Sequence, residues 1–162
     1  MDSDEFRGPD VDRVFRRFLE READPGGRSY WVDALRAGRS LRIFRAQLFG
    51  SNEYFTKAGG TNAAFVERAY EDVLGRLPDT AGRNYWIGRI EAGVGRGSVA
   101  NAFLVSSEAR RFLVREQFLR FLDREPTTSE RDAWMEVVRT QPGGEQALIS
   151  FLAGSTAYFT RT

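Results

Sequence analysis

The chain has 162 residues, 41% of them hydrophobic, which is enough for one domain or a short array with a shared core. Its 24 basic and 23 acidic residues leave a net charge of +1, which argues against nucleic acid or an anionic membrane as a partner. Because the sequence has no Cys and no His, it offers no disulfide, no zinc–sulfur site and no histidine base. No apolar run in it is long enough to cross a bilayer.

The first unit of structure follows a short acidic segment. Residues 1–10 are predicted to form an N-terminal tail, with no signal peptide in it. A helical stripe with apolar residues at i, i+3, i+4, i+7 and i+8 then begins at Val11. Similar stripes run through Trp31 and Leu48. Residues 11–57 are therefore predicted to form a first helical unit.

This unit is repeated twice along the chain. The stretch LGRLPDTAGRNYW, at 74–86, matches LEREADPGGRSYW at 19–31 and LDREPTTSERDAW at 122–134. The second copy lies 55 residues after the first (86 − 31) and the third 48 after the second (134 − 86). The ranges 58–112 and 113–162 are predicted to be a second unit and a degenerate third unit. Since no segment alternates with period two, we expect an all-α fold in which three tandem repeat units share one continuous core.

The repeated stretch is typical of a helix end, a tight turn and a helix start. The caps expected for the following helices are Asp24, Asp79 and Thr127, the last in a capping box with Glu130. Residues 107–123 contain no Gly or Pro, so they are predicted to form one helix shared by the second and third units. The first unit is joined through KAGGTN, at 57–62, and is expected to be attached more loosely.

Three sets of repeated residues are candidates for a functional or structural role. We expect Arg21, Arg76 and Arg124 to stabilise helix ends, where a cation favours the free carbonyls of the last turn. Arg28, Arg83 and Arg131 lie near a helix start, which disfavours a cation; they would either pair with a carboxylate such as Glu20 or Glu22 or recognise an anionic group. Trp31, Trp86 and Trp134 lie within apolar stripes and are predicted to pack in the core, whereas Tyr30 and Tyr85 flank the stripes and could contact a glycan.

The pattern Leu-x-Arg-x-Pro-Asp-x-x-Gly-x-x-Tyr-Trp, followed by Phe-Leu-x-Ser-x-Glu, resembles the bacterial family called domain of unknown function 4214. The best matching range is 65–112, and the third unit lacks the Gly and Tyr of the motif. The resemblance implies a compact helical module, often in tandem within large secreted or cell-surface proteins, with no established catalytic residues. A fainter likeness links the chain to phycobilisome linker domains.

Two hypotheses follow for the function. The first is a non-catalytic structural or protein-interaction module, docking a protein partner or a sister chain. The second is a carbohydrate-binding module in which Tyr30, Tyr85 and the repeated arginines contact an acidic surface polysaccharide. An enzyme is disfavoured by the missing His and Cys, and no cofactor or metal is expected.

Overall fold

The computed structural model describes residues 4–155, and in that range the chain forms ten helices and no strand. The predicted all-α fold is therefore confirmed. In chain order the helices are α1 (Asp4–Leu19), α2 (Pro25–Arg36), α3 (Leu41–Phe49), α4 (Asn52–Ala58), α5 (Asn62–Leu74), α6 (Thr80–Glu91), α7 (Arg96–Leu104), α8 (Ser107–Leu122), α9 (Thr128–Thr140) and α10 (Gly144–Ala153). None of these helices is long and apolar enough to cross a membrane.

The helix boundaries follow the intervals read from the sequence. Helices α6, α7 and α8 each begin 55 residues after α2, α3 and α4 (80 − 25, 96 − 41 and 107 − 52). Helices α9 and α10 begin 48 residues after α6 and α7 (128 − 80 and 144 − 96). We call α1–α4 the first unit, α5–α8 the second and α8–α10 the third; the division into three repeats remains a prediction.

The caps explain why the helices begin where they do. The Asp24 and Asp79 carboxylates accept the backbone N–H of the third residue of α2 and α6, and Ser106 caps α8 in the same way. Thr127 and Glu130 form the expected capping box at α9. Each of these contacts satisfies a backbone donor that the helix itself leaves free.

Helix α8 continues from Ser107 to Leu122, as expected for the helix shared by the second and third units. The first unit ends differently. Gly59 and Gly60 both adopt positive φ after α4, and Thr61 then caps α5. The chain therefore turns at the predicted glycines in one junction and runs straight through the other.

The first and second units also meet along α3 and α7, an interface that was not predicted from the sequence. A Cβ placed on Gly50 would lie 2.9 Å from the Cα of Gly97, so the two backbones approach closely. The Arg42 guanidinium donates to the Asn101 side-chain oxygen across the same interface at 2.5 Å. Because of this packing, the glycine turn is not the sole attachment of the first unit, which argues against the looser joint expected there.

The core runs through all three units. Phe44 and Phe49 of α3, Phe65 of α5, Phe118 of α8 and Leu148 of α10 are almost fully buried and belong to one cluster. At the N-terminus the chain is helical from Asp4, so α1 includes residues 4–10 of the range predicted as an N-terminal tail. Residues 156–162, which end the predicted third unit, lie outside the described residues.

Candidate functional site

The loop arginines, Arg21, Arg76 and Arg124, follow α1, α5 and α8 and share one local geometry. The residue before each of them has positive φ and turns the chain out of the helix. Each guanidinium donates to the backbone carbonyl of the next residue, at 2.8–3.1 Å. Each also lies 5.0–5.3 Å from the centre of the ring six residues earlier, which is Phe15, Tyr70 or Phe118. Each of these arginines thus contacts one loop carbonyl beyond the helix and one aromatic face. Their stabilisation of the helix end itself remains a prediction.

In the first two units the loop arginine also forms a long-range ion pair. The Nε and Nη2 atoms of Arg21 donate to the two Glu53 oxygens at 2.6 and 2.7 Å. Arg76 pairs with Glu108 in the same way, at 2.5 and 3.1 Å. Both pairs span 32 residues and connect the first loop of a unit to its fourth helix. The hydrogen bonds from each arginine lower the pKa of its glutamate.

The third loop arginine has a local partner instead. The Nη1 and Nη2 atoms of Arg124 donate to Glu130 at 2.8 and 2.7 Å, only six residues away. Glu130 also accepts the Thr127 backbone N–H at 2.8 Å. These donors, with Arg124 the strongest, lower the pKa of Glu130 to about 2.

The second set of repeated arginines is also paired. Arg28 donates to Asp12 at 2.9 Å and Arg83 donates to Glu67 at 2.5 Å, and these two carboxylates are themselves 55 residues apart. Arg131 pairs with the adjacent Asp132 at 2.9 Å. A carboxylate partner thus offsets the unfavourable position of each cation near a helix start.

The partners suggested for Arg28 from the sequence were wrong. Glu20 binds Arg68 at 2.9 Å, and Glu22 binds Arg16 at the same distance. The actual partner of Arg28 lies on α1, which packs against α2. Proximity along the chain was a poor guide because the pairing is set by helix packing.

The three tryptophans occupy equivalent positions but differ in burial. Trp31 is 8% exposed and stacks on Phe44, with ring centroids 4.2 Å apart. Trp86 and Trp134 are half-buried and pack against the core from its edge. All three tryptophans contact the core, as predicted, but they differ in burial, and Trp31 is the most buried.

The two tyrosines lie on the outer surface of α2 and α6. Tyr30 is 52% exposed and Tyr85 is 57% exposed. Each ring packs edge-on against the tryptophan that follows it, with centroids 5.2 and 5.0 Å apart. Two cavities lie in the described region, and neither is lined by Tyr30, Tyr85, Arg28, Arg83 or Arg131. The tyrosines form part of an open surface.

The more enclosed of these two cavities, which we call the central cavity, lies where the three units meet. It has a volume of about 560 Å³ and is bordered by α1, α3, α5, the end of α7, α8, α9 and α10. Apolar side chains form part of its wall, including Val14, Phe18, Leu41 and Ile149. Its size falls within the range of small-molecule sites in proteins.

The polar part of the central cavity is rich in arginine. Its described lining includes six arginines and four carboxylates, which leaves a surplus of two positive charges. The arginines are Arg13, Arg17, Arg42, Arg45, Arg110 and Arg139, and the carboxylates are Asp10, Asp72, Glu116 and Glu145.

A buried ion pair joins the first unit to the third at this cavity. The Arg45 guanidinium binds both oxygens of Glu145, whose side chain is 8% exposed. The Nε of Arg45 is buried and has no hydrogen-bond partner in the described structure, and the same holds for the side-chain oxygen of Gln146. Burial also raises the pKa of Asp10, although Arg13 binds it at 2.9 Å. Buried polar atoms without partners are rare in folded proteins.

The sequence pattern did not predict the central cavity as a candidate site. The signal available was a polar residue at an apolar stripe position. Arg45 lies in the stripe of α3 and Gln117 in the stripe of α8, and both line the cavity. Glu145 gave no such signal, because its pairing depends on the packing of helices 100 residues apart.

Within residues 4–155 no group of three or more acidic side chains is arranged to hold a metal ion.

Residues 46–113 match the family model described as Domain of unknown function (DUF4214). The match runs from α3 into α8 and includes the pair Arg76–Glu108, and it confirms the resemblance seen in the sequence. No curated protein and no solved structure matches the chain.

Proposed function

We propose that this chain is a non-catalytic protein-interaction module, carried within a larger bacterial secreted or cell-surface assembly as the family resemblance implies. The observation that carries the proposal is the pair of exposed tyrosines at equivalent positions. Tyr30 and Tyr85 each expose more than half of their surface, and each is held against a tryptophan. A rigid, exposed aromatic loses little conformational entropy on binding, which is one reason why tyrosine is enriched at protein interfaces.

The surroundings of the tyrosines support a binding role over a catalytic one. The repeated arginines nearby are engaged in structural ion pairs, as Arg28 is with Asp12 and Arg83 is with Glu67. Their charges are therefore committed to holding α2 and α6 in place. The exposed ring faces of the two tyrosines remain available on this surface, while the Tyr30 hydroxyl accepts a hydrogen bond from Arg39 at 3.1 Å. The partner is a protein or a second copy of the chain.

Site-specific photocross-linking tests this proposal. A photoreactive phenylalanine analogue is placed at position 30 or 85, and the chain is expressed in its producing cell and irradiated. We expect a protein adduct, identifiable by mass spectrometry, at both positions. The matched control is position 133, where the third unit has the exposed Ala133 in place of the tyrosine. Equal adducts at 133, or none at 30 and 85, would refute the tyrosine surface as an interface.

Carbohydrate binding is the second candidate, and the same edge-on contact of each tyrosine with its tryptophan favours it. A sugar ring stacking on Tyr85 would change the environment of Trp86, whose ring centre lies 5.0 Å away. Titration with oligouronates should then quench tryptophan fluorescence in the wild type and much less in a Tyr30→Ala, Tyr85→Ala variant. Unchanged fluorescence in the wild type would remove this candidate.

A further inference from the structure

We propose that the central cavity binds a small organic anion with an apolar body, through Arg42 and Arg110 at its polar wall. This inference is independent of the tyrosine surface, because neither Tyr30 nor Tyr85 lines the cavity. It rests on the charge balance of the lining, on the partners of each charged group and on the apolar side chains that line the same cavity.

The carboxylates of the cavity are all matched by cations of the protein. Asp10 binds Arg13 at 2.9 Å and Glu116 binds Arg17 at 3.3 Å. The remaining two are Glu145, which binds Arg45, and Asp72, which lies 3.6 Å from the Arg68 Nε and accepts the Tyr54 hydroxyl at 2.7 Å. No carboxylate of the described lining is thus left to attract a cation.

Two of the lining arginines, in contrast, form no ion pair with any described carboxylate. Arg42 donates to the Asn101 side-chain oxygen, and Arg110 donates to the Val105 carbonyl. In both cases a single Nη1 atom makes the bond to a neutral acceptor, so other guanidinium donors remain for a ligand. Arginine presents its donors as a planar fork that fits a carboxylate.

The lining further indicates that the anion carries an apolar part. Leu41 and Ile43, on either side of Arg42 in α3, line the cavity together with Ile149 of α10. A fully hydrated ion such as chloride would leave this apolar wall in contact with water. A carboxylate attached to a short alkyl chain satisfies both parts of the site.

A buried hydrogen-bond donor of the protein, the Nε of Arg45, also supports this site. The Nε of Arg45 is buried without a partner, while its two Nη atoms bind Glu145. An unpaired buried donor costs free energy, and an acceptor bound in the cavity would recover it.

Isothermal titration calorimetry with octanoate and octanol tests the proposal, since the two probes share an alkyl chain and differ in charge. We expect the 162-residue chain to bind octanoate about tenfold more tightly than octanol, as for a hydrogen bond to a charged group that is still partly hydrated. Equal affinities, or no binding of octanoate, would overturn the proposal without any variant.

Two variants and one spectrum then assign the site. Arg42→Gln should weaken octanoate binding about fivefold and leave octanol binding unchanged, because it removes one charged donor. Arg89→Gln is the matched control, since Arg89 is exposed and lies outside the lining. Octanoate should also shift the methyl resonances of Leu41 and Ile149. An equal loss in Arg89→Gln, or shifts confined to other methyl groups, would contradict the assigned site.

Discussion

The first two units and the third use the same loop arginine for different purposes. Arg21 and Arg76 hold a glutamate 32 residues further along the chain, so that each pair closes a unit from its first loop to its fourth helix. Arg124 keeps the contacts with its loop carbonyl and with the Phe118 ring but binds Glu130 of the next helix. The contacts with the loop carbonyl and the aromatic ring are thus common to all three loops. The long-range ion pair is found only in the first two units among the described residues.

The sequence accounts for the difference. The residue 32 positions after Arg124 is Thr156, which has no carboxylate. The third unit instead places Glu130 at the third position of α9, within reach of Arg124 and of the Thr127 N–H. The repeated arginine therefore indicates a repeated turn. The position of its carboxylate partner shows whether an ion pair also joins the first loop of the unit to its fourth helix.

The largest expected effect is on the free energy of unfolding. It should differ between the units because their tryptophans differ in burial. Trp31→Ala should destabilise the protein by about 3–5 kcal/mol, the range for a large aromatic removed from a packed core. Trp86→Ala should cost less and Trp134→Ala least, because both are half-buried and Trp134 packs on the exposed Phe151. Urea denaturation of the three variants measures this order, and an equal loss for Trp134→Ala would mean that the third unit is packed as tightly as the first.

The second prediction concerns the turn before the loop arginine. Gly75 has φ of +72°, and a Cβ there would lie 2.3 Å from Phe112, so Gly75→Ala should cost about 2–4 kcal/mol from backbone strain and crowding. Glu20 and Asp123 hold the same position in the other units at φ of 53° and 55°. Gly88→Ala in α6, where a Cβ meets nothing within 4 Å, is the matched control and should stabilise the protein slightly. Equal melting temperatures for the two variants would show that this turn tolerates a side chain.

The third prediction concerns how the stability contributed by the third loop depends on pH. Glu130 has a folded pKa of about 2 against an ordinary value of 4.5, so its stabilising contribution is present above pH 4.5 and is lost as the pH falls towards 2. Glu130→Gln should therefore cost about 1 kcal/mol at pH 7, typical of a capping contact with a partly exposed ion pair. The difference between wild type and variant should shrink as urea denaturation is repeated from pH 5 to pH 3. A constant difference over this range would assign the cost to side-chain shape.

The smallest expected effect tests the long-range pair itself. Both side chains of Arg76–Glu108 are nearly half exposed, so their coupling energy should be only about 0.5–1 kcal/mol. A double-mutant cycle with Arg76→Gln and Glu108→Gln measures it. The same cycle on Arg76 and Glu130, which do not touch, should give a coupling near zero.

Much of this architecture could be predicted because it depends on local rules. The caps at Asp24 and Asp79, the continuous helix α8 and the all-α fold follow from side-chain chemistry and apolar spacing. The partner of Arg28 could not be predicted, because it depends on how α1 and α2 pack. The central cavity depends on the packing of three units, and the sequence indicated it only through Arg45 and Gln117, two polar residues in apolar stripes.

Each loop arginine acts on one glutamate, at long range in the first two units and locally in the third. Carbon-13 NMR titration of Glu53, Glu108 and Glu130 in Arg21→Gln, Arg76→Gln and Arg124→Gln tests it most directly. Each substitution should raise the pKa of one glutamate towards its ordinary value: Glu53, Glu108 and Glu130 in turn. If Arg76→Gln left the pKa of Glu108 unchanged, or if Arg124→Gln failed to raise that of Glu130, the division between closed units and a locally capped third unit would be wrong.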